Sequence, residues 1–405
     1  MIFQTLDNKQ TCVGIYTNGN LIFNDAEFPD DLSKTWKPVT YLKGRSVEYA
    51  SLYLEGKSLR ETLPEYLLDD WEDVRSRLAS FHRSLSLAQV DQTENCFFDL
   101  VPDRFLVDYC EVKNNITSYI FRTQPRPQRY TFYECVSFLL EEIRHRRIVV
   151  DRRLLKSLEK NDKLKNQCRN IASGSVRANY KQFGTVTGRL TTHPGSFPIL
   201  TLNKSLRSAI LPTNDYFIEI DFNGAEVRTL LGLLDAPQPP QDVHQFHLDN
   251  VFNDITTRSE AKVAFFAWLY GSSKVDPAAK RKLESFYDKT KLLDPHWDGS
   301  TVTTPYGKVI PNTSAHHALN YLVQSTAAEL TLKQALKIDH LLTHHSTGSH
   351  LAFLIHDAVV LDLKKEDLNL LTTVVKMMSS TNFGEFQVNI KKGTTLGNLR
   401  DYKVG

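Results

Sequence analysis

Apolar and polar positions along the chain follow two periods. Apolar residues recurring every three or four positions predict amphipathic helices, and alternating or short apolar runs predict strands. Residues 1–122 mix strand-like stretches (TCVGIY, NLIFN) with the amphipathic segment LPEYLLDDWEDVRSRLASFHRSL. A proline-rich break, TQPRPQRY at 123–130, marks a linker. From 131 to 171 the pattern predicts two long helices joined at IVVD, with Arg and Lys crowded around the join. YFIEID (216–221) predicts a strand ending on an aspartate, and GAEVRTLLGLL after it a helix stopped by DAPQPPQ. STVTTPYGKVIPN (300–312) predicts a hairpin, and 314–342 a long helix. HLAFLIHDAVVLDLK (350–364) predicts two strands turning around His356 and Asp357, then a helix and a last strand, EFQVNI.

One predicted helix, RSEAKVAFFAWLYGSS (258–273), spends polar residues where a core helix would not. Arg258, Lys262, Phe266 and Tyr270 fall four apart. Each step of four turns an α-helix by roughly 400°, so the stripe drifts about 40° per step and runs for about 18 Å. Two cations, an aromatic ring and a phenol therefore share one face. The cations suit a triphosphate, Phe266 a base stacked one turn on, and Tyr270 the next base. Asp221 and Asp357 sit at the ends of apolar strands, where a carboxylate is costly to desolvate unless it meets a cation. Converging, they make a site for two hard cations with oxygen ligands. Either alone reads first as a turn opener. Two metals with a triphosphate clamp are the machinery of nucleotidyl transfer.

Length and composition change this picture little. At 405 residues the chain predicts two to four packed units, and 41% hydrophobic with 24% charged residues is the balance of a soluble globular protein. No apolar run approaches the roughly 20 residues needed to cross a bilayer, and MIFQTLDNKQT lacks the regions of a signal peptide, so a cytoplasmic protein is expected. Cys12, Cys96, Cys110, Cys135 and Cys168 form no CxxC pair, which fits a reducing compartment. A net charge of +2 leaves nucleic-acid affinity to local basic stripes. The His-rich HLLTHHSTGSH (340–350) lacks a second ligand cluster and reads as a solvated loop.

In these residues the chain resembles the family A DNA polymerases, those similar to bacterial DNA polymerase I and to phage replicative polymerases. DFNGAEVRTLL (221–231) resembles motif A, and RSEAKVAFFAWLYGSS motif B with its Arg-x3-Lys-x3-Phe-x3-Tyr-Gly spacing. LIHDAVVLDL (354–363) resembles motif C. TVTGRLTTHPG (185–195) is similar to the TGRL segment, DVH (242–244) to Asp-Ile-His, and NYLVQSTAAEL (320–330) to the Gln-Gly-Thr-Ala-Ala-Asp helix. A lone TGRL or HD is weak. Six segments in the family's order over about 130–400 are specific.

The resemblance implies an α/β (α+β) right hand with a small N-terminal α/β domain. Residues 1–122 would be an N-terminal module, 123–180 the thumb, 181–240 the first part of the palm with motif A, 241–300 the fingers with motif B, and 301–405 the second part of the palm with motif C. The activity implied is template-directed addition of dNTPs to a primer 3′-hydroxyl. Asp221, the carbonyl of Phe222 and Asp357 would hold two Mg²⁺, with Mn²⁺ as a substitute. Arg258 and Lys262 would neutralise the triphosphate, Lys262 serving as proton donor to pyrophosphate, and His244 is a phosphate contact or a plain helix-start histidine. Glu226, five after Asp221, matches the sugar gate that excludes a ribose 2′-hydroxyl. Arg189, Asn320 and Gln324 match minor-groove contacts to primer or template, where acceptors are common to all base pairs. Asn320 and Gln324 also fit an ordinary polar helix face. His356 would lie near the primer-terminal phosphate. The expected partners are primer–template DNA, dNTPs, and a separate exonuclease, helicase or processivity factor, with no membrane and the chain as a monomer.

Departures from the family pattern qualify the likeness. Motif C has Ala358 where Glu is usual, which removes a third carboxylate. Asn223-Gly224-Ala225 replaces Ser-Gln-Ile, which predicts loose packing behind the gate. His316 stands where Arg is usual, and short segments around motif B predict small fingers of a compact, phage-like type. In residues 1–122, Asp25-Ala26-Glu27 and Asn95-x3-Asp99 imitate two proofreading-exonuclease motifs, but Lys113 stands where a third acid is needed. A reduced, inactive remnant or a docking module is expected there. The competing readings are a single-subunit RNA polymerase, which Glu226 opposes, and a silent DNA-binding accessory, which would not need both aspartates and both cations.

Overall fold

The computed structural model describes residues 2–7, 13–32, 39–42, 45–47, 59–92, 94–174, 176–252, 257–272, 276–345 and 348–403. Cys12, Ser273 and residues 346–347 of the His-rich stretch lie outside them. The chain divides into two units, 1–134 and 135–405. Among the described residues no helix is long and apolar enough to cross a membrane.

In the first unit, strands β1 (Gln4–Leu6), β2 (Gly14–Thr17) and β3 (Asn20–Ile22) form an antiparallel sheet in that order. Helix α1 (Glu65–Leu87) packs on α2 (Asp103–Thr123). Phe105, Leu106 and Cys110 of α2, at helical spacing, join Leu6 and Tyr16 of the sheet in one core. Gln4 Nε2 donates to Thr117 Oγ1 at 3.0 Å and pins β1 to that helix. Asp25 and Glu27 occupy one exposed short turn and Asp99 another, whereas Lys113 lies on α2 over the Trp71 ring, 5.6 Å from its centroid.

The division falls inside α3 (Tyr130–His145), which is followed by a short strand, β4 (Val149–Val150). The second of the two long helices expected here is broken, into α4 (Arg152–Leu158) and α5 (Asp162–Ser173). The cause is local: Asn161 takes extended backbone and its side chain accepts from Lys163 N, starting a new helix just as Asp151 starts α4.

The centre of the second unit is an antiparallel sheet. β8 (Tyr216–Phe222) is its middle strand, between β12 (Ala358–Leu363) and β13 (Val388–Gly393), with β11 (His350–Ile355) and β14 (Arg400–Asp401) outside them. Three short strands precede it, β5 (Tyr180–Lys181) paired with β6 (Thr191–Thr192), and β7 (Ile210–Leu211) paired with β4. Between β8 and β11 come α6 (Ala225–Leu233), α7 (Val243–Asn250), α8 (Arg258–Leu269), the hairpin β9 (Val302–Thr303) with β10 (Val309–Ile310), and α9 (Ala315–His344). α10 (Leu371–Ser379) precedes β13. The strand expected over EFQVNI starts at Val388 rather than at Glu385, because Gly384 and Glu385 pair instead with Ser380 and Thr381, and β14 follows it as the last strand. α9 is buried on nearly every side, touching α6, α10 and β11, which explains why small and apolar residues (Ala318, Ala327, Leu330, Ala335) surround it.

Candidate active site

Period-two alternation on β8 decides what faces where. Ile218 and Ile220 are fully buried, and Glu219 and Asp221 share the other face. Asp221 lies directly across from Ala358 on one side and Asn389 on the other. Ile355 pairs with Ala358, so only His356 and Asp357 make the turn, and His356 adopts a left-handed φ of 55°. The two-residue turn returns Asp357 to the end of the sheet where β8 delivers Asp221.

The surroundings of the two carboxyls differ. Burial first, then Asp357 and Glu219, push the Asp221 carboxyl up to about 7, against the pull of Lys391 and Lys262. Burial also raises Asp357, opposed by Arg189 and His356. Glu219 itself is held by Lys391 at 3.0 Å. Among the described residues no ion pair joins either aspartate, and no group of three or more His, Cys, Asp or Glu side chains comes together to hold a metal. Phe222 ends β8 buried, edge-on to Phe386.

Helix α8 begins with a capping box, Thr257 and Glu260 each bonding the other's backbone N–H, so the stripe starts where its sequence places it. Lys262 is exposed, 5.9 Å from the Phe266 ring centroid, and Phe266 stacks on Tyr270 at 5.6 Å. Tyr270 falls at the C-cap, one residue past the helix. His244 lies 5.8 Å from Phe266. Burial, then Lys262, push its imidazole down to about 4, with Asp242 opposing, so at neutral pH it is uncharged. Its Nδ1 is buried without a hydrogen-bond partner.

Glu226, on the first turn of α6, is 3% exposed and carries a full set of partners. Arg189 pairs with it, and the Tyr270 hydroxyl donates to its two oxygens at 3.0 and 3.3 Å. Burial raises its carboxyl, and Arg189 opposes. Tyr270 is pushed up to about 12 by burial and by Glu226. Gln324 accepts from Thr187 Oγ1 at 2.7 Å, while Asn320 Oδ1 is buried and unpartnered. Arg189, Tyr270 and Gln324 therefore gather around Glu226, and Lys262 and Arg258 lie near His244.

Two features were missed in the sequence. Asp242 caps α7 by accepting from His244 N and Gln245 N, and holds Arg258 through two bonds, 2.8 and 2.6 Å. An Asp just before VHQF is a helix-cap signal in the sequence. The second feature corrects the expectation of loose packing behind the gate. Asn223 is 7% exposed and all its polar groups are bonded, while fully buried Arg228 donates to the carbonyls of Asn223, Pro239 and Gln241 at 2.8, 3.0 and 3.0 Å. Gly224, at φ 70°, sits so close that an added Cβ would lie 2.3 Å from Val243 Cγ2. His316 likewise packs against Gly271.

A pH dependence follows from Asp221. The folded chain keeps this proton up to about 7, the unfolded chain only to about 3.8, so between those values protons favour the folded state. This contribution to stability is greatest in acid and is lost as pH rises through about 7. Asp221→Asn is expected to raise the melting temperature in EDTA by roughly 2–6 °C at about pH 8, by roughly a third of that at about pH 5, and hardly at all at about pH 3.5. The same shift at all of these pH values contradicts the assignment.

No family model matches the chain. It is 26% identical to DNA polymerase I of Aquifex aeolicus (strain VF5), over 54% of this chain and 44% of that protein. It is 24% identical to DNA polymerase I of Lactococcus lactis subsp. cremoris (strain MG1363), over 50% of this chain and 28% of that protein. The chain thus spans less than half the length of these relatives. Among solved structures it resembles the POL domain of Pol1 from M. smegmatis, in complex with DNA primer-template and dNTP. The TM-score is 0.58 at 14% identity, covering 73% of this chain and 76% of that one. The resemblance to the family A DNA polymerases, drawn from six short motifs, thus holds for relatives in sequence and for the polymerase-domain fold.

Proposed function

We propose that the chain is a template-directed DNA polymerase that adds dNTPs to a primer 3′-hydroxyl by two-metal nucleotidyl transfer. The observation that carries this reading is the meeting of Asp221 and Asp357 beside a cation cluster and a buried glutamate gate. Likeness to proteins named DNA polymerase I, and to a fold solved with primer-template and dNTP, supports it.

The two aspartates fit divalent cations such as Mg²⁺ or Mn²⁺. Both are hard oxygen donors, burial and then Asp357 push the Asp221 carboxyl up, and a cation offsets both effects. When bound, such ions supply Lewis acidity toward the primer hydroxyl and the phosphates. The chain's own groups do the rest. Lys262 and Arg258 offset triphosphate charge, Lys262 holds a proton for the departing pyrophosphate, and neutral His244 donates to a phosphate oxygen. Phe266 and Tyr270 present a stacked surface to the incoming base and its neighbour. Glu226 fills the space of a 2′-hydroxyl, and Arg189, Asn320, Gln324 and His356 contact primer and template. In this reading 123–180 is the thumb, 181–240 and 301–405 the palm, and 241–300 small fingers of the phage type, in a monomer.

Primer extension with each nucleotide type, with and without Mg²⁺, tests the reading. Template-directed dNTP addition is expected, and its absence under all conditions defeats it. Residues 1–122 form in this reading a docking module or an inactive remnant, with Asp25 and Asp99 on exposed turns and Lys113 on a helix. The chain is expected not to shorten a mismatched primer in Mg²⁺ without nucleotides. Steady 3′ removal abolished by Asp25→Ala contradicts that.

A further inference from the structure

We propose that Asn223 is a positioning residue for Arg258, acting through Asp242, so that the strand bearing Asp221 sets the first cation of the fingers helix. The inference rests on the polymerase reading and adds a residue in which this chain departs from the family pattern. Asn223 follows Asp221 and Phe222 directly. Its backbone N–H donates to Gln387 O at 2.9 Å and its carbonyl accepts from Arg228 Nε at 2.8 Å, fixing its place against β13 and α6. Its side chain then bridges outward. Oδ1 accepts from Val243 N at 3.0 Å and Nδ2 donates to Asp242 Oδ2 at 2.8 Å. Only one orientation of the amide satisfies both partners, since the first is a donor and the second an acceptor.

Asp242 passes the constraint on. Oδ1 takes His244 N and Gln245 N, both at 3.0 Å, and Oδ2 takes the Asn223 amide, so three donors fix the carboxylate apart from the arginine. Against the effect of burial, hydrogen bonds from Arg258 and Asn223 hold its carboxyl well below the usual range, and it stays charged. Arg258 meets this plane with Nε at 2.8 Å and Nη2 at 2.6 Å, leaving its Nη1 edge for a phosphate. An exposed pair between two mobile side chains holds little. Here the Arg258 side chain is 48% exposed, but its partner is anchored, so the guanidinium arrives oriented.

The test measures dNTP binding to the chain on primer–template with a dideoxy-terminated primer, alongside single-turnover extension on a normal primer. Asn223→Ala is expected to raise the dNTP Kd about 5- to 20-fold while the maximal rate changes less than about threefold. Asn223→Asp keeps the volume and the Val243 contact but turns a carboxylate toward Asp242, and is expected to weaken binding at least as much. In an Arg258→Ala background, Asn223→Ala should cost less than about twofold more. Losses that multiply independently, or an unchanged Kd in Asn223→Ala and the milder Asn223→Ser, overturn the relay while leaving the polymerase reading intact. Failure of the unaltered chain to bind dNTP and extend overturns both.

Discussion

Asp221→Asn or Asp357→Asn is expected to slow primer extension by at least about 10³-fold while primer–template affinity stays within about threefold. Asparagine matches aspartate in shape, so β8 and the His356–Asp357 turn survive, but it brings no charge to a divalent cation. The fold should even gain, since burial and the negative charges of Asp357 and Glu219 already hold Asp221 up to about 7. Slow extension with intact DNA binding separates lost chemistry from lost folding. Mn²⁺ binding followed by EPR gives a readout independent of turnover, and the variants should bind fewer ions or bind them more weakly. Near-normal extension by both variants removes the aspartates from the chemistry. Ala358, directly across from Asp221, brings no third carboxylate to that position.

The second large effect concerns sugar choice. Glu226 is 3% exposed and already bonded by Arg189 and Tyr270, so its side chain is fixed rather than free to swing aside. A ribose 2′-hydroxyl pressed against it would leave polar groups poorly paired, at a cost of about 3–5 kcal/mol for several such groups. Discrimination of roughly 10² to 10⁴ against ribonucleotides follows, at about 1.4 kcal/mol per factor of ten. Glu226→Ala is expected to erase most of it by improving ribonucleotide use. Overall rate should fall as well, because Arg189 and Tyr270 lose the carboxylate that holds them. Single-turnover competition between dNTP and rNTP measures both. Equal use of the two sugars by the unaltered chain removes the gate and favours the RNA polymerase reading.

How much of this was legible beforehand depends on distance along the chain. The stripe Arg258, Lys262, Phe266 and Tyr270 was legible because helical spacing is a local property, and the capping box fixes its start. Asp221 and Asp357 were legible because apolar strand runs end on them, and a two-residue turn leaves Asp357 one place to go. A local signal also failed: Asn161 looked like helix interior, yet its short amide caps α5.

The sequence by itself therefore determined most of the element order, the motifs and the residues that carry the proposed chemistry. Only the tertiary structure decided who meets whom. Thr187 bonds Gln324 across 137 positions, Lys391 holds Glu219 across 172, and Arg189 reaches Glu226 across 37. Asn223, which looked like a loosening in motif A, is tied down by Asp242 and Val243, about twenty residues away. Periodicity specifies the face a side chain occupies, but the partner on that face is fixed only when distant segments pack. Buried polar atoms then take whatever donor or acceptor the fold has brought within reach, because leaving them unpaired costs about 1–3 kcal/mol each.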